Sequence, residues 1–428
     1  MDYHLLSPNT QATLLLCASF GENRQTEPKP LTLSEYNTVA SWLREEHLNP
    51  ADLLDQTLKN RLSQITIGKL DSHRLVTLLE RGVMLSLAVE KWTNQGLWIV
   101  GRGDADYPQC LKQRLKHNAP AILYGIGNKE LLAQAGLAIV GSRDVDQDGL
   151  NYTERVVQTC AEQEINVISG GARGVDQASM LGIVAAGGNA VGVLADSLTK
   201  AAVASKYRAG IKEGRLTLVS AYDPDASFSA GNAMGRNKYI YALADYALVV
   251  SSAVGKGGTW AGATEVLRKV KDVPVFVRMQ GTVPEGNYKL LEKGGIVFPE
   301  APWNKPLRTL LDAAIAEIEE SKVDGEVIES DKSLAGDDLG GDKTISINLP
   351  AKDIYEAVLP FILNQLEQPQ DAKSLAESLQ VRKGQMEDWL KRAVQEGKVI
   401  KQKNPVMYVV NKEFNLLSLL ELEKKDSG

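Results

Sequence analysis

The chain has 428 residues, of which 43% are hydrophobic and 24% charged, with a formal net charge of −6, as is ordinary for a soluble globular protein of two to four domains. Its longest apolar runs are strand-sized, its first residues lack the features of a secretory signal, and its 3 cysteines are scattered. The sequence therefore excludes a disulfide framework and a membrane-spanning protein, and it predicts a cytoplasmic location.

Residues 1–100 are predicted to form a helical N-terminal domain. Thr32 to Glu35 matches a capping box, and Asn49-Pro50 supplies an N-cap and a first-turn proline for a second helix. A third apolar-periodic run, Arg74 to Leu79, is followed by Gly82, placed as a C-terminal cap would be. A helical bundle without activity and a domain with a part in function are equal alternatives for this segment.

Residues 101–316 are predicted to form an α/β domain with a Rossmann-like, doubly wound parallel sheet. Short β-rich runs alternate with helical ones, and the runs are apolar throughout, as in strands buried on both faces. The predicted strands are Leu137 to Val140, Asn166 to Ile168, Ala190 to Leu194, Thr217 to Ser220, Tyr246 to Val250 and Val273 to Val277. Ligands of such sheets bind beyond the carboxyl ends of the strands, where the N–H groups of helix N-termini favour phosphate.

Two glycine-containing segments follow the first two predicted strands. They are Gly141-Ser142-Arg143 and Ser169-Gly170-Gly171-Ala172-Arg173-Gly174-Val175-Asp176. The glycines let a ligand approach the main chain, and the arginine of the first segment can fork onto phosphate. Because a cation is mildly unfavourable at a helix N-terminus, Arg173 predicts an anionic ligand, with an ion pair to Asp176 as the alternative.

Two further segments combine cations with glycines. They are Gly235-Arg236-Asn237-Lys238 and Lys256-Gly257-Gly258-Thr259. The first is predicted to lie near a turn, where two cations and an amide suit a phosphodiester backbone, and a solvated helix face is the alternative. Tyr239 and Tyr241 beside it could stack on bases or pack in the core. The second segment is not a Walker A loop, but its N–H groups can form a nest for an anion.

Catalytic groups are sparse in this part of the chain. All 4 histidines precede the predicted sheet, so a Ser-His-Asp or Cys-His site within it is excluded. Cys and His residues show no zinc spacing, and we expect no metal and no cofactor. Among the carboxylates near the ligand edge are Asp176, Asp196 and Glu265, of which Asp176 is expected to be structural and Glu265 is the catalytic alternative.

Residues 317–348 are predicted to be an acidic flexible linker, residues 349–415 a winged-helix domain and residues 416–428 a tail. Ten acids and two lysines lie between Glu317 and Asp342, which leaves the rest of the chain near +2, so the negative total does not exclude nucleic acid. The helices Ile354 to Leu366, Ala372 to Leu379 and Lys383 to Gln395 precede two β-like runs. Because the charges of this domain nearly balance, a protein contact or an accessory DNA role is favoured over base readout.

The four segments, in this order, resemble the DNA-processing protein A (DprA/Smf) family over about Tyr107 to Phe298, and the lead-in Asp104 to Pro108 and Pro120 to Gly125 is also similar. The resemblance implies single-stranded DNA binding, a homodimer through the core, loading of a RecA-type recombinase, a part in DNA uptake, no membrane association and no established enzymatic activity. The predicted DNA- or phosphate-binding residues are Ser142, Arg143, Ser169, Gly170, Gly171, Arg173, Arg236, Asn237, Lys238, Lys256, Gly257, Gly258 and Thr259.

Two departures from the family pattern leave an alternative open. Ala233-Met234 stands where the family has Phe-Pro, and the segment Gly255 to Gly262 is richer in glycine than usual. This segment is similar to the Pro-Gly-Gly-x-Gly-Thr-x-x-Glu loop of LOG-type phosphoribohydrolases, although Lys256 replaces proline and Glu265 is one residue late. The alternative is a divergent protein that senses or hydrolyses a nucleotide, for example in phage defence.

Overall fold

The computed structural model describes residues 6–20, 28–65, 67–134, 136–270, 272–328, 354–366, 368–379, 381, 383–402 and 406–411. The chain divides into two compact units, Met1–Lys332 and Ser333–Gly428. Among the described residues, no helix has both the length and the apolar content needed to cross a bilayer.

The first unit contains helices α1 to α14 and strands β1 to β9. Its helices are α1 (Pro8–Cys17), α2 (Leu33–Glu45), α3 (Gln56–Leu62), α4 (Ser72–Leu79), α5 (Gly82–Asn94), α6 (Gln109–Leu115), α7 (Gln147–Glu162), α8 (Val175–Ala185), α9 (Leu198–Val203), α10 (Ser205–Lys212), α11 (Ala230–Leu243), α12 (Gly257–Lys269), α13 (Glu285–Glu292) and α14 (Leu307–Ile328). Its strands are β1 (Trp98–Gly101), β2 (Ile122–Ile126), β3 (Gly136–Gly141), β4 (Asn166–Ser169), β5 (Ala190–Leu194), β6 (Leu216–Ser220), β7 (Tyr246–Ser251), β8 (Val275–Val277) and β9 (Ile296–Val297).

The N-terminal segment is helical, as its capping signals predict. Thr32 and Glu35 form the reciprocal capping box of α2, and Asn49-Pro50 opens a short 3₁₀ helix. The expectation for Gly82 is wrong, because Gly82 begins α5 instead of capping α4. The turn between these helices is held by the buried Arg81, whose guanidinium donates to the carbonyl oxygens of Leu15 and Ala18.

One nine-stranded sheet organises the first unit, in the order β1-β2-β6-β5-β4-β3-β7-β8-β9. The strands from β3 to β9 pair in parallel, which confirms the predicted Rossmann-like core. The sheet is mixed, however, because β1 and β2 add an antiparallel edge beside β6. From β3 the chain runs outward to β6 and then returns to β7 on the other side of β3, so the strand order reverses between β3 and β7.

The sheet is covered on both faces by separate hydrophobic clusters. One face packs against α7 and α8 through residues such as Val156 and Ile183, and this cluster continues into the N-terminal helices. The other face packs against α11 and α12 through residues such as Ile240 and Val266. The N-terminal helices therefore share a core with the sheet in one compact unit, and the domain boundaries at residues 100 and 316 stay predictions.

The end of the first unit differs from the predicted linker. Helix α14 continues to Ile328, because Ala314 and Ile315 pack against the core and the following residues include good helix formers. The acidic segment therefore begins in a helix and not in a loop. The rest of the predicted linker, from residue 329 to residue 348, and the tail 416–428 lie outside the described residues.

The second unit has the predicted element order. Its elements are α15 (Ile354–Gln365), α16 (Ala372–Ser378), α17 (Lys383–Gln395), β10 (Val399–Gln402) and β11 (Met407–Val410). The strands form an antiparallel hairpin, and a compact core that includes Leu375, Leu390 and Tyr408 joins the hairpin to the helices. The assignment of this unit as a winged helix stays a prediction.

Candidate phosphate-binding site

Two adjoining cavities lie at the carboxyl edge of the parallel strands, where the strand order reverses. The larger, of about 590 Å³, is bordered by the turn after β3, by α11, by the loop after β7 and by the first residues of α12. The smaller, of about 340 Å³, is bordered by the glycine loop after β4 and the residues after β5. Both are lined by Arg143, Ala172, Phe228, Ala233 and Arg236. This position is where open α/β sheets bind their ligands.

The turn after β3 brings an exposed cation to both cavities. The backbone N–H of Ser142 donates to the carbonyl of Ser251 at 2.9 Å, so the turn is fixed to the end of β7. The Ser142 hydroxyl accepts the N–H of Asp144 at 3.2 Å. Arg143 is exposed, and its guanidinium lies 5.6 Å from the centre of the Phe228 ring. A guanidinium in this position can bind phosphate at the opening of either cavity.

Ser169 does not contribute a ligand group. Its side chain is 0% exposed, and its hydroxyl donates to the carbonyl of Ile139 at 2.6 Å. The predicted phosphate contact of this hydroxyl is wrong, because Ser169 is the last residue of a fully buried strand and bonds the neighbouring strand. The serine therefore joins β4 to β3 beneath the site.

The glycines after β4 are required mainly by neighbouring protein groups. A Cβ on Gly170 would overlap the guanidinium of Arg236 and touch the carboxylate of Asp176. Gly171 and Gly174 have φ of +68° and +88°, a backbone region that favours glycine. Gly171 borders the smaller cavity, so its backbone remains available to a ligand there.

Arg236 lies inside α11 and not near a turn, because Ser229 caps this helix further upstream by accepting the N–H of Asn232 at 3.1 Å. Arg236 is 6% exposed, and its Nη1 lies 3.9 Å from Oδ2 of Asp176. This distance is an ion pair but too long for a hydrogen bond, and Nε and Nη1 of Arg236 have no hydrogen-bond partner. The pair couples α11 to α8 under the floor of both cavities.

Burial changes the protonation of this pair. It raises the pKa of Asp176 from 3.8 to about 6, against the opposite effect of the Arg236 charge and of the Gly141 N–H, which Asp176 accepts at 3.3 Å. Burial also lowers the pKa of Arg236, an effect that the carboxylate of Asp176 opposes. Asp176 is thus structural, as predicted, and its partner is Arg236.

Arg173 is exposed at the start of α8 and has a different partner from the one considered. Its guanidinium pairs with the carboxylate of Asp144 in the neighbouring loop, and both side chains are largely in solvent. The alternative of an ion pair between Arg173 and Asp176 is therefore wrong. Exposed pairs of this kind are weak, so Arg173 can exchange Asp144 for an anion bound in the smaller cavity.

The first turn of α12 borders the larger cavity and has no side-chain cap. Lys256 is its N-cap residue and makes no side-chain capping bond, and Gly255 and Gly257 have φ of +69° and +85°. Lys256, Gly257 and Gly258 are exposed, and together with Thr259 they border the cavity. The free N–H groups of a first turn, with the helix dipole, attract an anion. The anion nest at this turn stays a prediction, and its residues border the same cavity as Arg143.

Asn237 and Lys238 differ in position although they are adjacent. The Asn237 amide donates to the carbonyl of Gly258 at 2.8 Å, which ties α11 to the first turn of α12. Lys238 borders neither cavity, and its ammonium lies 5.2 Å from the Tyr239 ring. Burial lowers the pKa of Lys238, and the nearby Glu265 opposes this effect. The predicted grouping of Lys238 with Arg236 fails, because helical geometry turns the two side chains apart.

Several groups at the site could not be assigned correctly from the sequence. Tyr239 and Tyr241 are 6% and 1% exposed, so neither ring can stack on a base. Sequence reasoning missed Phe228, which is 58% exposed between the cavities. Glu265 borders neither cavity and pairs with Lys269 at 2.9 Å. Among the described residues, His, Cys, Asp and Glu form no group of three that could hold a metal ion.

Comparisons with known proteins agree with this geometry. Residues 98–301 match the protein family described as DNA recombination-mediator protein A. The chain is 28% identical over 194 residues to the DNA processing protein DprA of Streptococcus pneumoniae, covering 45% of this chain and 67% of that protein. It is 29% identical over 268 residues to the protein Smf of Escherichia coli, covering 61% and 67%. The X-ray structure of DprA from Streptococcus pneumoniae has the same fold, with a TM-score of 0.50 and 20% identity over 62% of this chain and 89% of that one.

Proposed function

Residues 98–301 belong to the DNA recombination-mediator protein A family, and from this premise we propose that the chain binds the phosphate backbone of single-stranded DNA at the two cavities. The observation that supports this most is the convergence of Arg143, Lys256 and the uncapped first turn of α12 on the larger cavity. These groups match the charge and the acceptor oxygens of phosphate.

The arrangement favours a strand over an isolated anion. Arg173 and Gly171 border the smaller cavity, and Arg143 borders both, so cationic and N–H groups extend along one edge of the sheet. A chain of phosphates can follow these groups in order. Binding of this kind depends on the backbone and not on base edges, so we expect little dependence on base sequence.

The family assignment also supports a partner and an assembly. We propose that the bound strand passes to a RecA-type recombinase and that the chain acts as a homodimer through its core. Strand exchange by a recombinase on DNA coated with a single-strand-binding protein should begin faster with this protein than without it. Unchanged kinetics across a range of protein concentrations would remove the recombinase from the proposal and leave the DNA site untouched.

Salt-dependent binding of single-stranded DNA tests the proposed site. The double variant Arg143→Ala/Lys256→Ala removes two cations from the larger cavity, so affinity should fall, and the slope of log affinity against log salt should shrink by about 1.4. Lys238→Ala is the matched control, because it removes a cation from α11 that borders neither cavity.

The outcomes of that titration are distinct. Loss of affinity in the double variant with the control unchanged supports the site. Equal affinities for all three proteins would show that DNA binds elsewhere, and equal binding of duplex and single-stranded DNA would remove the proposed preference.

A mononucleotide is the second candidate ligand, because a cavity of about 590 Å³ has the volume of a small-molecule site. Equilibrium dialysis with the common nucleoside monophosphates should detect saturable binding if this candidate is right. Hydrolysis of a nucleotide has less support, since Glu265 borders neither cavity. Release of free base that is lost in Glu265→Gln would restore that alternative.

A further inference from the structure

A groove on the second unit collects lysines from three different elements. It has a volume of about 590 Å³ and is bordered by residues of α16, α17 and the hairpin of β10 and β11. Its cations are Lys373 of α16, Lys383 and Lys391 of α17, and Lys401 of β10. Because these lysines are spread along the sequence, the fold of the unit, and not a run of like charge, brings them to one surface.

The walls of this groove are fixed by hydrogen bonds. Gln370 and Tyr408 exchange backbone hydrogen bonds of 2.8 and 3.0 Å, which tie β11 to the start of α16. Asp371 caps α16 by accepting the backbone N–H groups of Lys373 and Ser374 at 2.8 and 3.1 Å. The lysines therefore project from ordered elements, and the groove is formed before any ligand binds.

The ammonium groups of the groove are only weakly engaged within the protein. Lys373 and Lys383 face carboxylates one turn away on their own helices, at 3.9 and 3.5 Å, and more than half of each side chain is exposed. Exposed pairs of this kind contribute little to stability. Lys391 and Lys401 are exposed and form no ion pair with another described residue. All four cations are thus available to an anionic ligand.

Apolar side chains share the groove with these cations. Val406 is 51% exposed and Val394 is half-buried, and Ala372 and Tyr408 complete the apolar part of the lining. A ligand that offers only phosphates would leave this apolar surface in water, whereas a peptide can cover it with an apolar side chain. The lining therefore suits a ligand with both acidic and apolar groups.

Two carboxylates in the lining also favour a peptide over a nucleic acid. Asp371 and Glu387 stand among the lysines, so the groove is not a continuous positive track for a row of phosphates. The exposed carboxylate of Glu387 can instead accept an N–H group, which a peptide backbone has and a phosphodiester backbone lacks. Four lysines against two carboxylates still leave an excess of positive charge, which selects acidic partners.

We propose that this groove binds an acidic peptide segment of a partner protein, whose carboxylates pair with the lysines and whose apolar side chain contacts Val394 and Val406. This inference goes beyond the proposed DNA site and does not depend on it, because every residue of the groove belongs to the second unit. The charges set the class of partner and speed its encounter with the groove, and the apolar contact distinguishes a peptide from other polyanions.

Fluorescence anisotropy of a labelled peptide, Asp-Glu-Asp-Leu-Phe, with the full chain tests the groove. The peptide should bind saturably, and more weakly as the salt concentration rises. Lys391→Ala/Lys401→Ala should weaken binding about 10-fold, the combined effect of losing two exposed ion pairs. A peptide with alanine in place of leucine and phenylalanine should also bind more weakly, because it cannot cover the apolar lining.

Matched controls separate the groove from the rest of the chain. Val406→Ser should weaken peptide binding about 5-fold, because part of an apolar contact is lost. Ile400→Ser makes the same kind of change at a side chain that is 48% exposed on β10 but does not border the groove, and it should bind as the unaltered chain does. Arg143→Ala/Lys256→Ala, in the first unit, should likewise leave peptide binding unchanged.

The outcomes separate the possible occupants of the groove. Saturable binding that is weakened in the groove variants and kept in both controls supports the inference, and no saturable binding, or equal binding by all variants, would overturn it. If Lys391→Ala/Lys401→Ala lowers affinity for DNA and leaves peptide binding unchanged, the groove is a nucleic-acid site. If Asp337→Asn/Asp338→Asn/Asp342→Asn binds the peptide and the unaltered chain does not, the chain's own acidic segment fills the groove, and the separate partner is wrong.

Discussion

The loops that precede α8 and α12 both contain glycines and both end at the carboxyl edge of the sheet, but their polar groups have different partners. In the α8 loop, Ser169 bonds the neighbouring strand and Gly170 makes room for the Arg236–Asp176 pair. In the α12 loop, Lys256 and the glycines around it are exposed and the first turn has no side-chain cap. The loop with the more specific motif thus mainly builds the site, and the less specific one borders the larger cavity.

Gly170→Ala is expected to have the largest effect and to test the structural role of the α8 loop. The new Cβ would displace the Arg236 guanidinium and leave Asp176 buried without its cation, so the free energy of unfolding should fall by about 4 kcal/mol. Urea denaturation measures this change. Gly258→Ala is the control, because its Cβ would meet Asn237 Nδ2 at an ordinary 3.4 Å, and stability should change little. A Gly170→Ala protein as stable as the unaltered chain would contradict the structural role of the α8 loop.

The pH dependence of stability should also identify the α8 loop as the structural one. Because the pKa of Asp176 rises from 3.8 to about 6 on folding, the folded state binds a proton more tightly than the unfolded state does. Stability should therefore fall as the pH rises from about 4 to about 6, by about 2 kcal/mol from this group, and then level off. Asp176→Asn should remove this part of the slope in urea titrations at several pH values, and an unchanged slope would assign it to other groups.

Asn237→Ala is expected to have the smallest effect on stability, and it tests whether the α12 loop binds the ligand. The variant loses the hydrogen bond from the Asn237 amide to the Gly258 carbonyl, so unfolding should become easier by only about 1 kcal/mol. DNA affinity should fall more clearly, because the first turn of α12 is no longer tied to α11. Asn232→Ala, on the first turn of the same helix, is the reference for both measurements. Loss of stability without loss of affinity would show that the α12 loop does not bind the ligand.

Local signals in the sequence account for most of the fold. The apolar runs predicted β3 to β8, since strands buried on both faces need unbroken hydrophobic segments, and the capping box of Thr32 and Glu35 predicted the start of α2. The antiparallel edge was missed, because β1 is short and its pairing with β2 is decided by contacts distant in sequence. Two predictions based on glycine were also wrong. Gly82 was expected to end a helix but begins one, and Gly235 was expected near a turn but lies inside a helix.

The candidate site was only partly predictable. Arg143 and the α12 loop, which border the larger cavity, could be singled out because glycines and cations follow strand ends at predictable places. The burial of Ser169 and Arg236 could not be read from the sequence, because it depends on how α11 crosses the sheet. Phe228 was missed for a similar reason, as its position beside Arg143 joins two loops that are far apart along the chain.

The space around Gly257 has a consequence for how this site can evolve. A Cβ at Gly257 would meet nothing within 4 Å, so the only cost of a side chain there is the backbone strain of a φ of +85°. A new side chain can therefore enter the rim of the larger cavity without displacing any neighbour, whereas Gly170 cannot change without breaking the pair beneath it. Descendants of this chain could acquire new ligand preferences through the α12 loop while inheriting the same core.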